Sequence, residues 1–154
     1  MQIKKILSKK EIEELEKLIE KNYGVKISLR DYLVFTSKEK IWIATKECAK
    51  IFSLNILINS AGLNFGKIRK GKIHLTIEGS QIVGRYASKN VVFINKNSAE
   101  KFLKGSDVKA EKEINCEYGN FVIVKSEDEI LGSSLFLKDK IKNLIPKSRR
   151  TIRF

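Results

Sequence analysis

The chain has 154 residues, of which 42% are apolar and 32% charged, and a formal net charge of +13. That length suits one ordinary domain or two very small ones. Apolar runs as short as VVFI and LFL fall far below the about 20 residues that span a membrane, and MQIKKIL lacks the apolar stretch and cleavage site of a signal peptide. A charge of this sign and size points to an anionic partner, most often nucleic acid.

In chain order, SKKEIEELEKLIEKNYG predicts the first helix. Ser8 and Glu11 form a capping box, and Ile12, Leu15, Leu18 and Ile19 recur on one face. Gly24 supplies the stop. The period then changes to two: YLVFT and IWIAT, joined by SKEK, read as a hairpin. KECAKIFSL reads as a short helix. NILINSAGLNFGKIRKGKIHLTI reads as strands broken by Gly62, Gly66 and Gly71. Four cations of that stretch, Lys67, Arg69, Lys70 and Lys72, fall on or beside a turn with no acid between them. EGSQIVGRYAS predicts a helix from about Glu78, and NVVFIN a strand. NSAEKFLKG predicts a short helix capped by Asn97 or Ser98 and stopped by Gly105. The rest is strand and turn: DVKAEKEIN alternates weakly, and FVIVK and ILGSSLFL flank SEDE as a hairpin. The fold class expected is α+β, with an N-terminal α/β domain over 1–87 packed on a strand-rich domain over 88–154.

Catalytic signatures are missing from this pattern. His74 is the only histidine and lies inside a strand pattern, so a triad would have to use it. Cys48 and Cys116 stand far apart without a CxxC partner and read as reduced thiols. The glycines of GLNFGKIRKG punctuate strands and match neither the phosphate loop nor the dinucleotide fingerprint. The expectation is a protein without catalytic activity, cofactor or metal.

Charge position is more informative than its total. Residues 138–154 hold seven cations against one acid, while 87–137 is nearly neutral. The terminal RTIRF alternates, so as a strand it turns Ile152 and Phe154 inward and Arg153 outward. Extending that parity backward places Lys147 and Arg149 beside Arg153 in a row about 6–7 Å apart, near the phosphate spacing of extended RNA. Arg150 falls on the inward parity and has to sit at a rim or before the strand. Tyr86, Tyr118 and Phe136 are the aromatic candidates for base stacking.

Across SAGLNFGKIRKGKIHLTIEGSQIVGRYASKNVVFINKNSAEKFLKGSDV the chain resembles the Nip-seven family of large-subunit ribosome biogenesis factors. The carrying features are FGK after a strand, the helix ending in YA, the strand VVFI and the run AEKFLKGSDV. FVIVKSEDEILGSSLFL looks like the core hairpin of a PUA domain, a small RNA-binding β-barrel. The resemblance runs from about residue 8 to the end and is most specific across 60–125. It implies an N-terminal α/β domain packed on a C-terminal PUA-type pseudo-barrel, and a non-catalytic role in rRNA processing and large-subunit assembly. It further implies binding of U-rich or AU-rich RNA and association with ribosome assembly or exosome-linked proteins. The family's RNA-binding residues carry over to Arg149, Arg150 and Arg153; Lys147 joins them by charge and position. Lys67, Arg69, Lys70 and Lys72 form a secondary RNA contact or a solvated turn, of which the turn is the favoured reading. A cytoplasmic monomer is expected, nucleolar if the source is eukaryotic. The alternatives are a protein-docking adaptor and an accessory subunit of an RNA-modifying enzyme.

Overall fold

The structure, a computed structural model, describes residues 5–46 and 62–151. The helix expected at KECAKIFSL, the strand expected at NILINS, and Ile152, Arg153 and Phe154 lie wholly or mostly outside these residues.

The first half is an antiparallel meander with one helix on its face. Strand β1 (Lys5–Ile6) leads into α1 (Lys9–Tyr23). Four strands follow: β2 (Tyr32–Ser37), β3 (Lys40–Thr45), β4 (Leu63–Arg69) and β5 (Lys72–Leu75). They hydrogen-bond in sequence order, and two-residue turns join β2 to β3 and β4 to β5. Helix α1 starts at the capping box of Ser8 and Glu11 and ends at Gly24 in the left-handed region. The Glu11 carboxyl, bonded to Lys5 and then to the Ser8 backbone, falls to a pKa of about 2. Leu15, Ile19 and Tyr23 bury the inner face of α1 against Val34, Ile41, Ile43, Ile73 and Leu75. Each such side chain contributes about 1.5–3 kcal/mol on leaving water. The Tyr23 hydroxyl donates to the Ile73 carbonyl at 2.6 Å, which ties the helix to the far edge of the sheet.

Helix α2 (Ile77–Val83) links the halves, capped by Thr76, whose hydroxyl accepts from Gly79 N at 2.9 Å. The second sheet contains β6 (Val91–Phe93), β7 (Lys112–Ile114), β8 (Phe121–Ser126), β9 (Glu129–Phe136) and β10 (Ile141–Lys142), in the order β10-β9-β8-β6-β7. The pair β6–β8 is parallel, so the chain needs a crossover, which α3 (Lys96–Leu103) and β7 supply. Val92, Phe102, Val122, Val124, Phe136, Ile141 and Ile145 form the core of this half. Val91 and Ile123 turn to the opposite face and join the first core, so the two halves share buried surface. The result is an α+β fold with a curled half-barrel sheet.

Three details depart from the expected elements. Gly66 does not break its strand; it lies inside β4, where a Cβ would come within 2.6 Å of the His74 carbonyl. Its role is the close approach of β4 and β5. Helix α3 is capped by Asn95 rather than Asn97 or Ser98, because the Asn95 side chain accepts from Ser98 N at 2.7 Å. Around Pro146 the chain does not alternate: Lys147–Arg149 form a 3-10 turn, with Arg149 N donating to the Pro146 carbonyl at 2.9 Å.

Candidate nucleic-acid interface

Register decides which residues of the first sheet share a face. Cross-strand partners point the same way, and Lys40 pairs with Lys67, which pairs in turn with His74. Between Ile41 and Trp42 the register slips, which leaves Phe65 as a bulge and restores Asn64 opposite Trp42. Lys40, Lys67, His74 and Asn64 therefore lie on the face away from α1. Two lysines directly opposite one another repel, a small cost that packing does not require. Neither forms an ion pair among the described residues.

The C-terminal segment forms the facing wall. Asn143 seats it: its amide donates to the Phe102 and Ser106 carbonyls at 2.7 and 2.9 Å, and its oxygen accepts from Ile145 N at 2.9 Å. Asp107 accepts from Asn143 N at 2.8 Å and pairs with Lys140; those two bonds, the backbone one first, hold its carboxyl below the usual range. Ile145 is 4% exposed and plugs the second core. From there Pro146 leads into the turn, and Thr151 N donates to the Leu103 carbonyl at 2.8 Å.

Between these walls lies a cleft of about 530 Å³, lined by Lys40, Lys67 and His74 on one side and Pro146, Ser148 and Arg149 on the other. Cations from the two sequence clusters thus meet across one opening. Arg149 donates to Glu78 at 2.6 Å. Partial burial raises the Glu78 pKa, but the Arg149 hydrogen bond and the residue's own backbone N–H outweigh it and hold the carboxyl below the usual range. His74 stacks on Phe121 at 4.7 Å. Its pKa falls to about 4, first through burial and then through the charges of Lys67 and Arg69, with a hydrogen bond to the Ser133 backbone opposing. At neutral pH it is an uncharged ring within a basic wall.

The other candidate cations are placed differently. Arg69 pairs with Glu39 at 3.6 Å, Lys72 donates to the Gly119 carbonyl at 3.2 Å, and Lys70 forms the turn tip with a φ of 51°. Arg150 donates to the Ile145 carbonyl at 3.2 Å and lies over Gly105, where a Cβ would approach its Nε to 2.6 Å. Lys147 is exposed on the 3-10 turn. Successive residues of that turn are about 120° apart, so the proposed row of Lys147 and Arg149 along one strand face is not formed. Arg153 lies outside the described residues. Of the aromatics, Phe136 is 4% exposed and belongs to the core, Tyr118 tilts against it with centroids 5.3 Å apart, and Tyr86 is exposed. The half-buried Cys116 thiol is pushed up to about 11 by burial first, and so stays protonated.

Lys40, Glu78 and the Phe121–His74 stack did not emerge from the sequence. In the sequence Lys40 reads as part of the SKEK turn; in the structure it opens β3, and only the β3–β4 register brings it beside Lys67.

This architecture is that of PUA proteins. Residues 89–151 match the family model described as the methyltransferase RsmF PUA domain. A conserved PUA domain protein from Thermoplasma acidophilum superposes with a TM-score of 0.58 at 16% identity, over 87% of this chain and 80% of that one. A PUA domain from Aeropyrum pernix, crystallised with tartrate, superposes with a TM-score of 0.59 at 13% identity, over 95% of this chain and 87% of that one. No curated protein sequence matches the chain. At these identities the likeness establishes the fold.

Proposed function

We propose that the chain is a non-catalytic RNA-binding protein that takes an unpaired strand into the cleft between the first sheet and the C-terminal turn. The observation that carries this reading is the convergence of Lys40, Lys67 and Arg149 on one opening. Fixed cations on both walls bind a flexible polyanion with less entropy loss than a floppy tail would. The PUA fold of the second half supports RNA as the polyanion. The resemblance to the Nip-seven family makes precursor rRNA the target and large-subunit assembly the process, with U-rich or AU-rich segments bound and with assembly or exosome-linked partners. A second reading, an accessory subunit guiding an RNA-modifying enzyme, is favoured by the match to a methyltransferase's PUA domain.

Fluorescence anisotropy with a single-stranded U-rich RNA and a duplex of equal length tests the proposal. The single strand binds more tightly, and Lys40→Ala with Lys67→Ala and Arg149→Ala weakens it by 30-fold or more, on the order of 2 kcal/mol. Unchanged affinity in the folded triple variant removes the cleft from the function.

A further inference from the structure

A surface that only neutralises phosphates needs no chamber, yet this cleft has one. Its volume of about 530 Å³ lies within the roughly 300–1,000 Å³ typical of small-molecule sites. Beneath the cations part of the lining is apolar: Ile77 at the start of α2 lies across from Leu144 and Pro146 of the C-terminal segment. Asn64 and Ser133 also line it, and the Asn64 side-chain oxygen and the Ser133 hydroxyl are both buried without a hydrogen-bond partner. A buried acceptor without a partner is destabilising, and a donor entering the cleft satisfies it.

A partly apolar lining, two orphan polar groups and cations at the opening match an unpaired nucleotide: a flat, largely apolar base carrying N–H donors, followed by an anionic phosphate. Phosphate contacts alone carry no information about bases. We infer that the cleft is a nucleotide pocket, which admits one unstacked base against the apolar part of its lining while Lys40, Lys67 and Arg149 hold the adjoining phosphates. This rests on the RNA-binding reading. The base meets Asn64 through a ring or exocyclic N–H, so uracil, with its N3–H, fits the acceptor. Unstacking a base is costly in a duplex and least so in a single strand, so the pocket selects unpaired segments.

The test compares an octauridylate with an octamer of the same ribose-phosphate backbone lacking bases, on the full chain. Wild type binds the base-bearing strand at least ten-fold more tightly. Ser148→Trp, which places an indole in the cleft from an exposed turn position, brings the two affinities within two-fold. Asn64→Leu, which keeps the branched shape and deletes the acceptor, makes the same test from the opposite wall should the tryptophan lower the melting temperature. Equal binding of both strands by wild type overturns the nucleotide pocket and leaves RNA binding standing. A base preference that survives both variants places base recognition elsewhere and likewise overturns it. Binding of neither strand removes the RNA-binding reading and this inference together.

Discussion

The hairpin cluster of β4–β5 and the cluster after Pro146 look alike as strings of cations, and the fold divides both in the same way. In the hairpin, Lys67 lines the cleft, while Arg69 and Lys72 are engaged with Glu39 and the Gly119 carbonyl and Lys70 caps an open turn. In the C-terminal cluster, Arg149 lines the cleft in its pair with Glu78, which lines it too, while Arg150 is folded back on Gly105 and the Ile145 carbonyl. Each cluster contributes one cation to the shared opening. The difference between them lies in support. The hairpin is held by a sheet register, whereas the C-terminal turn depends on the side chain of Asn143.

That contrast makes Asn143→Ala the most damaging single change. It removes three hydrogen bonds and strands buried carbonyls, for a loss of about 3 kcal/mol. Chemical denaturation reads the stability, and RNA affinity falls with it because Arg149 loses its seat. A stable variant with full RNA affinity would show that the turn holds itself.

The hairpin side has its own signature in pH. His74 is neutral in the folded protein and has a pKa of about 4 against an ordinary 6.5. The unfolded chain therefore binds the proton first as pH falls. The His74 contribution is complete above pH 6.5 and is lost between pH 6.5 and about 4, with a magnitude on the order of 2–3 kcal/mol. His74→Phe keeps a ring against Phe121 and removes that slope. Denaturation midpoints across this range decide it; a slope that persists in the variant assigns the titration to another group.

Arg150→Ala separates structure from binding within the C-terminal cluster. It deletes a hydrogen bond and the side chain over Gly105, for about 1–2 kcal/mol of stability. RNA affinity measured well below the melting temperature changes less than three-fold. A larger loss would restore Arg150 to the binding surface, as the family resemblance implies.

Much of the fold can be read along the chain because its causes are local. The capping box of Ser8 and Glu11, the left-handed Gly24 and the Lys38–Glu39 turn each act within a few residues. The site cannot be read that way, because its causes are pairings. The Phe65 bulge depends on β3, and Lys40 joins Lys67 only through register. The terminal alternation fails over Lys147–Arg149 because the Arg149 N–H turns back to the Pro146 carbonyl. Two-residue periodicity predicts side-chain direction only while the backbone remains extended. The clusters were visible as charge; which cation in each faces the cleft was not.

The most direct test removes two charges from each place and compares salt dependence. Lys67→Ala with Arg149→Ala takes two cations from the cleft, and Arg69→Ala with Lys70→Ala takes two from the turn outside it. Net charge changes equally in both variants. The slope of log affinity against log salt for single-stranded RNA is predicted to become shallower by about 1.4 in the cleft variant, two phosphates at about 0.7 each, and to stay at the wild-type value in the turn variant. Equal shallowing in both would show that RNA responds to the protein's overall charge, and would contradict a cleft-centred site.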